Sequence, residues 1–308
     1  MADTPPELHA IILSFNEEQH IGRCIESIRD LCTSITVIDS GSKDRTVEIA
    51  ESLGARVISN PWKNYATQFN FGIDQIEDQS GWCLRIDSDE YFTEDSRQSL
   101  LGFLADQPKS VTGILVNRQI VFMGKRIKRG GIEPSWQLRL WRAGEGRCEQ
   151  RWMDEHIVTS GDVIKSKLHL VDENLNSIDW WTEKHNKYAS REVIDIFASQ
   201  GALETNQEIA AKGAAGQAKL KRFIKDKIYN RLPGGLRSMM YVFFRYIILL
   251  GFLDGKPGYY FHVLQGFWYR TLVDAKMTEI RDYAQKHNVP LVEAIRIKTG
   301  FDLSEQSE

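Results

Sequence analysis

The sequence predicts an α/β fold in which a mostly parallel sheet is covered by helices. Between residues 9 and 92, short runs rich in β-branched residues alternate with stretches whose apolar residues recur at helical spacing. Acidic residues end or follow two of the predicted strands, at Asp39 and Asp87, and open α/β sheets bind ligands at such strand ends. With 308 residues and 42% hydrophobic content, the chain can bury a substantial core.

The first part of the chain is predicted to contain four strands joined by helices. The predicted strands cover residues 10–13, 34–38, 55–59 and 82–86. Ile21, Ile25 and Ile28 recur at helical spacing and predict a helix after the first strand. Further helices are predicted around Val47 and Ala50 and through residues 69–76. This alternation is typical of parallel βαβ units.

The pattern changes after residue 92. Thr93, Glu94 and Asp95 favour a helix N-terminus, since their side chains can satisfy free backbone N–H groups and complement the helix dipole. Strands are predicted at 111–122 and 137–141, on either side of a basic, glycine-containing segment. We therefore expect a second, more irregular sheet region here, and a mostly helical structure from about residue 180 onward.

Charge and cysteine content narrow the class of protein. A formal net charge of -3 gives no global attraction to nucleic acid, so no nucleic-acid partner is expected. The four cysteines, at positions 24, 32, 83 and 148, show neither CxxC spacing nor the density of a secreted disulfide scaffold. The acidic N-terminus lacks the apolar stretch of a signal peptide. The sequence thus predicts reduced thiols and a cytoplasmic location.

The C-terminal region combines basic and apolar segments. Residues 212–237 contain eight basic residues and one acid, Asp226. Residues 239–253 are nearly all apolar but are interrupted by Arg245, and they fall short of the ~20 residues that span a bilayer. Cations beside an apolar face favour binding at a membrane surface. The alternative is that 239–253 forms a core helix with solvated lysines around it.

Two aspartates separated by one residue form the clearest chemical motif. Asp87 and Asp89 can place carboxylate oxygens around one Mg²⁺ or Mn²⁺ ion, which can bridge a substrate diphosphate. Asp39 lies where such folds commonly bind a ribose or base. No GxGxxG sequence follows the first strand, which disfavours a dinucleotide cofactor. A mononucleotide diphosphate is the predicted ligand.

Three ordered motifs resemble those of family 2 glycosyltransferases of the GT-A fold. They are ILSFNEE at 12–18, VIDSGSKDRT at 37–46 and IDSDE at 86–90. Four further segments resemble the lipopolysaccharide-core and capsule branch of that family: WQLRLW at 136–141, WMDEH at 152–156, KHNKYA at 184–189 and GFLDGK at 251–256. The resemblance covers nearly the whole chain. It implies a GT-A catalytic domain at 1–190, with a nucleotide-sugar half at about 1–110 and an acceptor half at 111–190, and a helical C-terminal region at 191–308.

The resemblance also implies roles for individual residues. The residues that would contact the base, ribose or diphosphate of a UDP-sugar are Phe15, Asn16, Glu17, Asp39 and Asp87. Asp89 would bind the divalent cation, Mn²⁺ or Mg²⁺, with Asp87 also facing the metal or the ribose. His169 follows the strand-like stretch 164–168, and in related enzymes a histidine near this place completes the metal site or contacts the diphosphate. A histidine there can equally be structural.

A general base is implied at Glu155, with Asp154 as its competitor. In the similar branch the residue before the base is often histidine, whereas this chain has Asp154. A carboxylate that accepts the proton of a sugar hydroxyl in the transition state contributes on the order of a hundredfold in rate. A base on the face opposite the leaving group leads to inversion at the anomeric carbon. Glu155 could instead pair with Arg151 or Arg139 as a structural acid.

Arg139 and the tryptophans are further candidates for substrate contact. Arg139 could form a bidentate contact with phosphate oxygens, or it could be a strand arginine whose head group reaches solvent. Sugars stack on aromatic rings, although most tryptophans belong to cores. One or two members of the aromatic set are expected to line the acceptor pocket. The set is Trp136, Trp141, Trp152, Trp180 and Trp181.

Together these features predict an inverting, metal-dependent transfer of a hexose from a UDP-sugar to a glycan or lipid-linked acceptor. The reaction would serve cell-surface polysaccharide or lipopolysaccharide synthesis, with the enzyme peripherally bound to the inner face of the cell membrane. Two alternatives stay open. A sugar-nucleotide pyrophosphorylase would need a glycine-rich loop after its first strand, and residues 14–17 are not one. A non-catalytic relative would bind nucleotide sugar or glycan as an assembly partner.

Overall fold

The computed structural model describes residues 5–149, 156–199 and 234–301. The chain divides into two compact units, Met1–Asn176 and Ser177–Glu308. The first helix of the second unit, Ile178–Ser199, is continuous across position 190, where the sequence suggested a boundary. The division therefore lies ahead of this helix rather than within it.

Eleven strands in the described part of the first unit form two sheets. The strands are β1 Leu8–Ser14, β2 Ser34–Asp39, β3 Arg56–Ser59, β4 Trp82–Arg85, β5 Glu90–Phe92, β6 Val111–Phe122, β7 Lys125–Arg126, β8 Trp136–Arg142, β9 Gly146–Cys148, β10 Ile157–Thr159 and β11 Asp162–Glu173. The main sheet has the order β3-β2-β1-β4-β8-β6-β11-β5, and β7 pairs with β6. Strands β9 and β10 form a separate antiparallel pair.

The first half of the main sheet is parallel and its connections are helical. The helices are α1 Ile21–Ile28, α2 Thr46–Ser52, α3 Tyr65–Asp74 and α4 Glu94–Ala105. Alternate residues of β1 face opposite sides of the sheet, so Ile12 belongs to the buried cluster that includes Ile25 of α1, and Ile11 belongs to the one that includes Phe69 of α3. Burial on both faces explains why these strands read as continuous apolar runs. The predicted α/β class is confirmed.

The second half continues the same sheet and is irregular as predicted, with register shifts in the β6–β8 and β6–β11 pairs. Strand β8 pairs antiparallel with both β4 and β6 and thereby joins the two halves. Strand β11 runs parallel to β6 and antiparallel to β5. The short strand β5 was not predicted. This order brings the C-terminal end of β11 beside the residues that follow β4.

The described part of the second unit is helical, as predicted. Its helices are α5 Ile178–Ser199, α6 Gly234–Phe243, a π-helix Phe244–Ile248, a 3-10 helix Gly251–Asp254, α7 Gly255–Phe261, a π-helix His262–Trp268, α8 Tyr269–His287 and α9 Leu291–Thr299. Aromatic contacts join α5 to the start of α8, including Trp181 with Trp268 and His185 with Tyr269. Arg270 also pairs with Glu192 at 2.5 Å.

An apolar segment, residues 236–253, lies mostly on the surface of this unit. Its exposed side chains are Leu236, Met239, Met240, Phe243, Phe244, Ile247, Ile248, Leu249, Leu250, Phe252 and Leu253. The interrupting charge, Arg245, is instead buried and lies 3.4 Å from the Tyr241 hydroxyl. The core-helix alternative therefore does not describe this segment. Within the described ranges no one helix has the length and hydropathy of a membrane span, although a pair that meets at a 69° bend, Gly235–Ile248 with Gly251–His287, reaches both together.

Candidate active site

The carboxyl ends of β1 and β2 lie side by side, with Ser14 in register with Asp39. Asp39 is 3% exposed, and both of its carboxylate oxygens accept hydrogen bonds. One oxygen accepts from the hydroxyls of Ser14 at 3.0 Å and Ser42 at 2.5 Å, and the other accepts from the backbone N–H groups of Gly41 and Ser42. These four donors match the ~four acceptor sites of a carboxylate. In this arrangement Asp39 shapes the loop after β2.

The loop after β1 interlocks with the loop after β2. Asn16 has a positive φ of 55°, and its N–H donates to the Ser42 hydroxyl at 2.9 Å. The N–H of Glu17 donates to the Thr46 hydroxyl at 2.7 Å, at the start of α2. Phe15 is 57% exposed and leaves an aromatic face open at this edge of the sheet. The predicted nucleotide-contacting residues are thus brought together, with Phe15 the most accessible of them.

Glu17 reaches a buried histidine rather than solvent. Its carboxylate lies 2.7 Å from Nδ1 of His20, which is 1% exposed. The other ring nitrogen of His20 accepts from the N–H of Leu175 at 2.8 Å. Because Leu175 follows β11, this chain of contacts ties the β1 loop to the far half of the sheet.

Asp87 is a partly exposed carboxylate at the end of β4. It accepts from the Tyr65 hydroxyl at 3.2 Å and from the Arg139 guanidinium at 3.1 Å, and one third of its side chain is exposed. Burial by itself would favour the neutral acid, but the charges of Arg139 and Arg85 hold the pKa of Asp87 well below its usual range. Asp87 is therefore ionised at neutral pH and can bind a cation.

Arg139 is the extra residue of a β-bulge in β8. Ile114 of β6 pairs with Leu140 and Leu115 pairs with Leu138, which leaves Arg139 between them. Bulges of this kind redirect a side chain beside a functional site. Arg139 is 2% exposed, and its Nη2 lies 2.5 Å from Glu90.

The remaining guanidinium nitrogens of Arg139, Nε and Nη1, are buried and have no hydrogen-bond partner among the described residues. The structure thus places Arg139 against the acidic residues of the site. Neither of the two sequence alternatives, a phosphate contact or a solvent-reaching strand arginine, anticipated this position.

Glu90 and Asp172 join the acidic group, and sequence reasoning missed both. Glu90 is 1% exposed and accepts from the Asp87 N–H at 3.0 Å. Burial raises the pKa of Glu90 to about 8; the Arg139 charge opposes this shift and the Asp87 charge adds to it. Asp172 lies opposite Glu90 in the β5–β11 pair. The sequence held one signal for Asp172: it continues the alternation of Leu168 and Leu170, whose side chains are buried, so its side chain is expected to point inward as well.

Asp89 lies between these acids and the end of β11. Its carboxylate accepts from the Asn174 amide at 3.1 Å, and its carbonyl accepts from the N–H of Glu173 at 3.1 Å. Burial and the negative charge of Asp89 raise the pKa of Asp172 to about 6. The charge of Asp87 acts on Asp172 in the same direction, so the three acids lie near one another. Carboxylate oxygens are the ligands that Mn²⁺ and Mg²⁺ take in proteins, and Asp89 and Asp87 fit such an ion chemically.

His169 is not brought to this group. It lies three residues before Asp172 in a regular part of β11, so its side chain projects from the opposite face of the sheet. There its Nδ1 lies 3.3 Å from the Asn117 amide.

The candidate bases, Asp154 and Glu155, lie outside the described residues, as does Trp152. The strands on either side of them are described, and Cys148 of β9 pairs with Ile157 of β10. The Asn70 side chain forms two 2.9 Å hydrogen bonds with the backbone of Cys148. Asn70 and Tyr65 both belong to α3, about 7.5 Å apart along its axis. One helix therefore contacts both Asp87 and the strand that leads to the candidate bases.

The tryptophans of the predicted aromatic set have different environments. Trp141 is fully buried and packs against Phe69, so it belongs to the core. Trp136 is partly exposed, and the Lys165 ammonium lies 5.3 Å from its ring centroid. Trp180 and Trp181 lie on α5, in the second unit. Trp136 is the described member that a first-unit pocket could use.

Comparison with known proteins identifies the chain's relatives. Residues 10–160 match the model of glycosyl transferase family 2. The lipopolysaccharide core biosynthesis glycosyltransferase LpsC of Rhizobium meliloti is 32% identical over 59% of this chain and 69% of its own length. An uncharacterized glycosyltransferase of Rickettsia felis is 36% identical over 79% of this chain and 88% of its own length.

Solved structures give weaker matches. Glucosyl-3-phosphoglycerate synthase from Mycobacterium tuberculosis, in complex with Mn²⁺ and uridine-diphosphate-glucose, matches with a TM-score of 0.30 and 22% identity, over 38% of this chain. That match spans 44% of the other chain, less than half of its length. The family and the GT-A fold class that the sequence motifs implied are nevertheless confirmed by the family model and the sequence relatives. The chain belongs to glycosyl transferase family 2.

Proposed function

We propose that the protein transfers a hexose from a UDP-sugar to a glycan or lipid-linked acceptor, with inversion at the anomeric carbon. The observation that carries this proposal is that Asp87, Asp89 and the β1 and β2 loops all follow parallel, neighbouring strands at one edge of the sheet. The Ser88 hydroxyl, between the two aspartates, donates to the Leu13 carbonyl of β1 at 2.7 Å. Similarity to a lipopolysaccharide core glycosyltransferase supports an acceptor in cell-surface glycan synthesis.

The β1 and β2 loops would hold the nucleoside of the donor. The open face of Phe15 can stack on the base. Asp39 already accepts four hydrogen bonds, so a ribose hydroxyl would take the place of one donor, such as the Ser42 hydroxyl. Asn16 and Glu17 fix this loop through their backbone contacts and keep its shape before the donor arrives.

Asp89 and Asp87 would bind the divalent cation next to the donor diphosphate. Asp87 is held ionised by Arg139 and Arg85, and Asp89 lies close enough to Asp172 to raise its pKa. Bound there, Mn²⁺ or Mg²⁺ supplies positive charge that offsets the charge developing on the departing UDP. His169 is left out of this proposal because its side chain projects from the other face.

Glu155, with Asp154 as the alternative, would accept the proton of the acceptor hydroxyl. The hydroxyl oxygen then bonds to the anomeric carbon as the bond to the UDP oxygen breaks. Attack from the face opposite UDP gives inversion. Cys148, which α3 contacts, precedes the two candidate bases by six and seven residues in the sequence.

Three variants test these assignments. Asp89→Asn should weaken Mn²⁺-dependent binding of UDP-sugar at least tenfold in calorimetry, because a metal ligand is lost. Glu155→Gln should leave that binding unchanged and lower the slow release of UDP, or transfer to acceptor, by about a hundredfold or more. Asp154→Asn should keep most of the turnover. Wild-type binding without turnover toward any acceptor would favour a non-catalytic assembly protein, and equal activity of all variants would reject the site.

We also propose that the apolar segment, residues 236–253, binds the surface of an anionic bilayer. Eleven of its apolar side chains are exposed within this one segment. Exposed apolar surface that is concentrated in this way marks an interaction site. Within residues 234–262 the one acidic residue, Asp254, is buried, whereas Lys256 is exposed. The eight basic residues at 212–237 adjoin the segment in sequence. Apolar burial and attraction to anionic headgroups would act together, which supports a peripheral location at the inner face of the cell membrane.

Vesicle sedimentation tests whether the apolar segment binds a bilayer. Wild-type protein should bind vesicles that contain phosphatidylglycerol, and more weakly those of phosphatidylcholine alone. Phe243→Ser with Ile248→Ser should lower binding by about 30-fold, because each half-exposed side chain contributes ~1 kcal/mol on burial. The control Val292→Ser with Ile297→Ser changes two exposed apolar residues of α9 and should bind as wild type. The proposal that the segment binds a bilayer is contradicted if the protein forms a dimer that covers the segment. It is also contradicted if the two double variants bind the vesicles equally well.

A further inference from the structure

A second group of metal-ligand side chains lies at the opposite edge of the sheet from the candidate active site. Glu7 and His9 are at the start of β1, and Asp78 precedes β4. One possible ligand atom from each lies within 4.8 Å of the other two. Glu7 and His9 are two residues apart on extended chain and so project to the same side. The seven residue steps from His9 to Asn16 separate this group from the nucleotide loops by about 23 Å.

His9 has a ring nitrogen without a partner. The side chain is 4% exposed, and its Nδ1 lies 2.8 Å from the Ser34 hydroxyl. Its Nε2 is buried and has no hydrogen-bond partner in the described part of the chain. When Nδ1 donates its proton to Ser34, Nε2 carries a lone pair. This is the arrangement in which a histidine binds a metal through one nitrogen and is oriented by the other.

The two carboxyl groups have no lysine or arginine partner in the described part of the chain. Among the described residues neither Glu7 nor Asp78 forms an ion pair, and the nearby Arg56 pairs with Glu77 at 3.8 Å instead. Ser80 links the two acids, since its hydroxyl donates to Glu7 and its N–H donates to Asp78 at 2.8 Å. The side chains of Glu7 and Asp78 also hydrogen-bond to each other beside an imidazole nitrogen, and a bound cation would displace the proton that they share.

The backbone fixes the position of the group. The N–H of Trp82 donates to the Glu7 carbonyl at 2.8 Å. Gly81 has a φ of 74°, and a Cβ there would lie 2.3 Å from the same carbonyl oxygen. The loop can therefore approach β1 this closely only with glycine. A cavity of about 230 Å³ lies beside the group and is lined by His9, Ser34, Arg56 and Asp78 among others.

We propose that Glu7, His9 and Asp78 bind a transition-metal dication, with Zn²⁺ as the best match. One imidazole nitrogen, two carboxylate oxygens and a water would complete a four-coordinate site of the kind that zinc prefers. Ser34 is a positioning residue that orients the imidazole. The ion would join the start of β1 to the loop between α3 and β4 and so stabilise the parallel half of the sheet.

Thermal unfolding of the full chain with Zn²⁺ and without nucleotide tests this site. Zn²⁺ at about a hundredfold above its Kd should raise the wild-type Tm by about 5 °C, because it binds the native state. His9→Gln should abolish the shift. Asp78→Asn, at an exposed position that leaves folding intact, should abolish it too. Asp89→Asn, which alters the candidate active site, should keep it, as should His287→Gln, which removes an exposed histidine of α8.

Calorimetry gives the second readout. Ser34→Ala should weaken Zn²⁺ binding by about 10- to 100-fold without changing the stoichiometry. Co²⁺ should bind the wild type and Asp89→Asn with the absorption of a nitrogen-ligated ion, and this absorption should be missing in His9→Gln. The proposal is overturned if Zn²⁺ leaves the wild-type Tm unchanged, or if His9→Gln and Asp78→Asn respond to Zn²⁺ as the wild type does.

Discussion

Arg139 lies between two carboxyl groups and provides one positive charge for both. Asp87 is one-third exposed, whereas Glu90 is fully buried, so Glu90 meets the greater cost of ionisation. The shared guanidinium therefore keeps Asp87 ionised while the pKa of Glu90 rises to about 8. The proton of this coupled pair belongs chiefly to Glu90 at neutral pH. The charge that faces the proposed donor site is then carried by Asp87.

Removal of the Arg139 guanidinium should mainly lower the free energy of unfolding, and its effect on substrate binding should be secondary. Arg139→Leu would leave two acids without compensation in or near the core, and we expect a loss of about 3 kcal/mol in urea unfolding. Adding Glu90→Leu should restore part of the loss, because the buried acid is then also absent. Arg142→Leu is the matched control on β8, since Arg142 bonds backbone carbonyls and covers Trp82. Unchanged stability with a raised KM would instead show that Arg139 acts mainly on phosphate.

The motifs predicted which acids end the strands but not which groups would surround them. Asp39, Asp87 and Asp89 follow apolar runs, so their place at the sheet edge was readable from the pattern. The contact of Arg139 with Glu90 depends on a bulge, and no local sequence signal marks a single extra residue in a strand. Asp172 belongs to the site only because β11 inserts between β6 and β5, which is a long-range property of the topology.

At the level of elements, the turn between α3 and β4 requires glycine at position 81 because the backbone there lies close to the Glu7 carbonyl. Flexibility of the turn is not the reason. Gly81→Ala should destabilise the protein by more than 1 kcal/mol, since it combines a positive φ with a clash against the Glu7 carbonyl. Gly102→Ala is the contrasting change, because Gly102 lies in α4 with open space around it. It should stabilise the protein by up to ~1 kcal/mol. Tm values that move in the same direction for both would contradict this account.

The strands of the parallel half were predictable to within two residues, because burial on both faces requires an unbroken apolar run. Strand β5 was not, since its three residues are too few to show a period. The apolar segment was read as one stretch, and the structure resolves it into α6, a π-helix and a 3-10 helix around Arg245. Hydropathy alone does not report where the hydrogen-bond pattern of a helix changes.

At the scale of the whole molecule, the second unit should be the more sensitive to acid. Burial, together with the charge of Arg245, lowers the pKa of His262 to about 4, and the side chain is fully buried. The unfolded chain takes up a proton near pH 6.5, before the folded one does. Stability that is present above about pH 6.5 is therefore lost as the pH falls toward 4, by up to ~1.4 kcal/mol per pH unit.

The variant His262→Phe tests this pH dependence. His262→Phe keeps a ring of similar size but cannot bind a proton, so its Tm should fall less than that of the wild type between about pH 6.5 and 4.5. His287→Gln, at an exposed histidine, should follow the wild type. An identical pH dependence in His262→Phe and the wild type would assign the acid sensitivity to other groups.

The pairing of β5 with β11 sets a time for assembly of the site during synthesis. Glu90 leaves the ribosome about 80 residues before its partner Asp172, which corresponds to roughly 4 to 16 s of translation. The parallel half of the sheet can form in that interval, but Asp89 and Glu90 have no β11 beside them until the first unit is nearly complete. A nascent chain interrupted before residue 170 would carry the β1 and β2 loops beside an unfinished acidic site, and under the proposed function it would bind the donor sugar without transferring it.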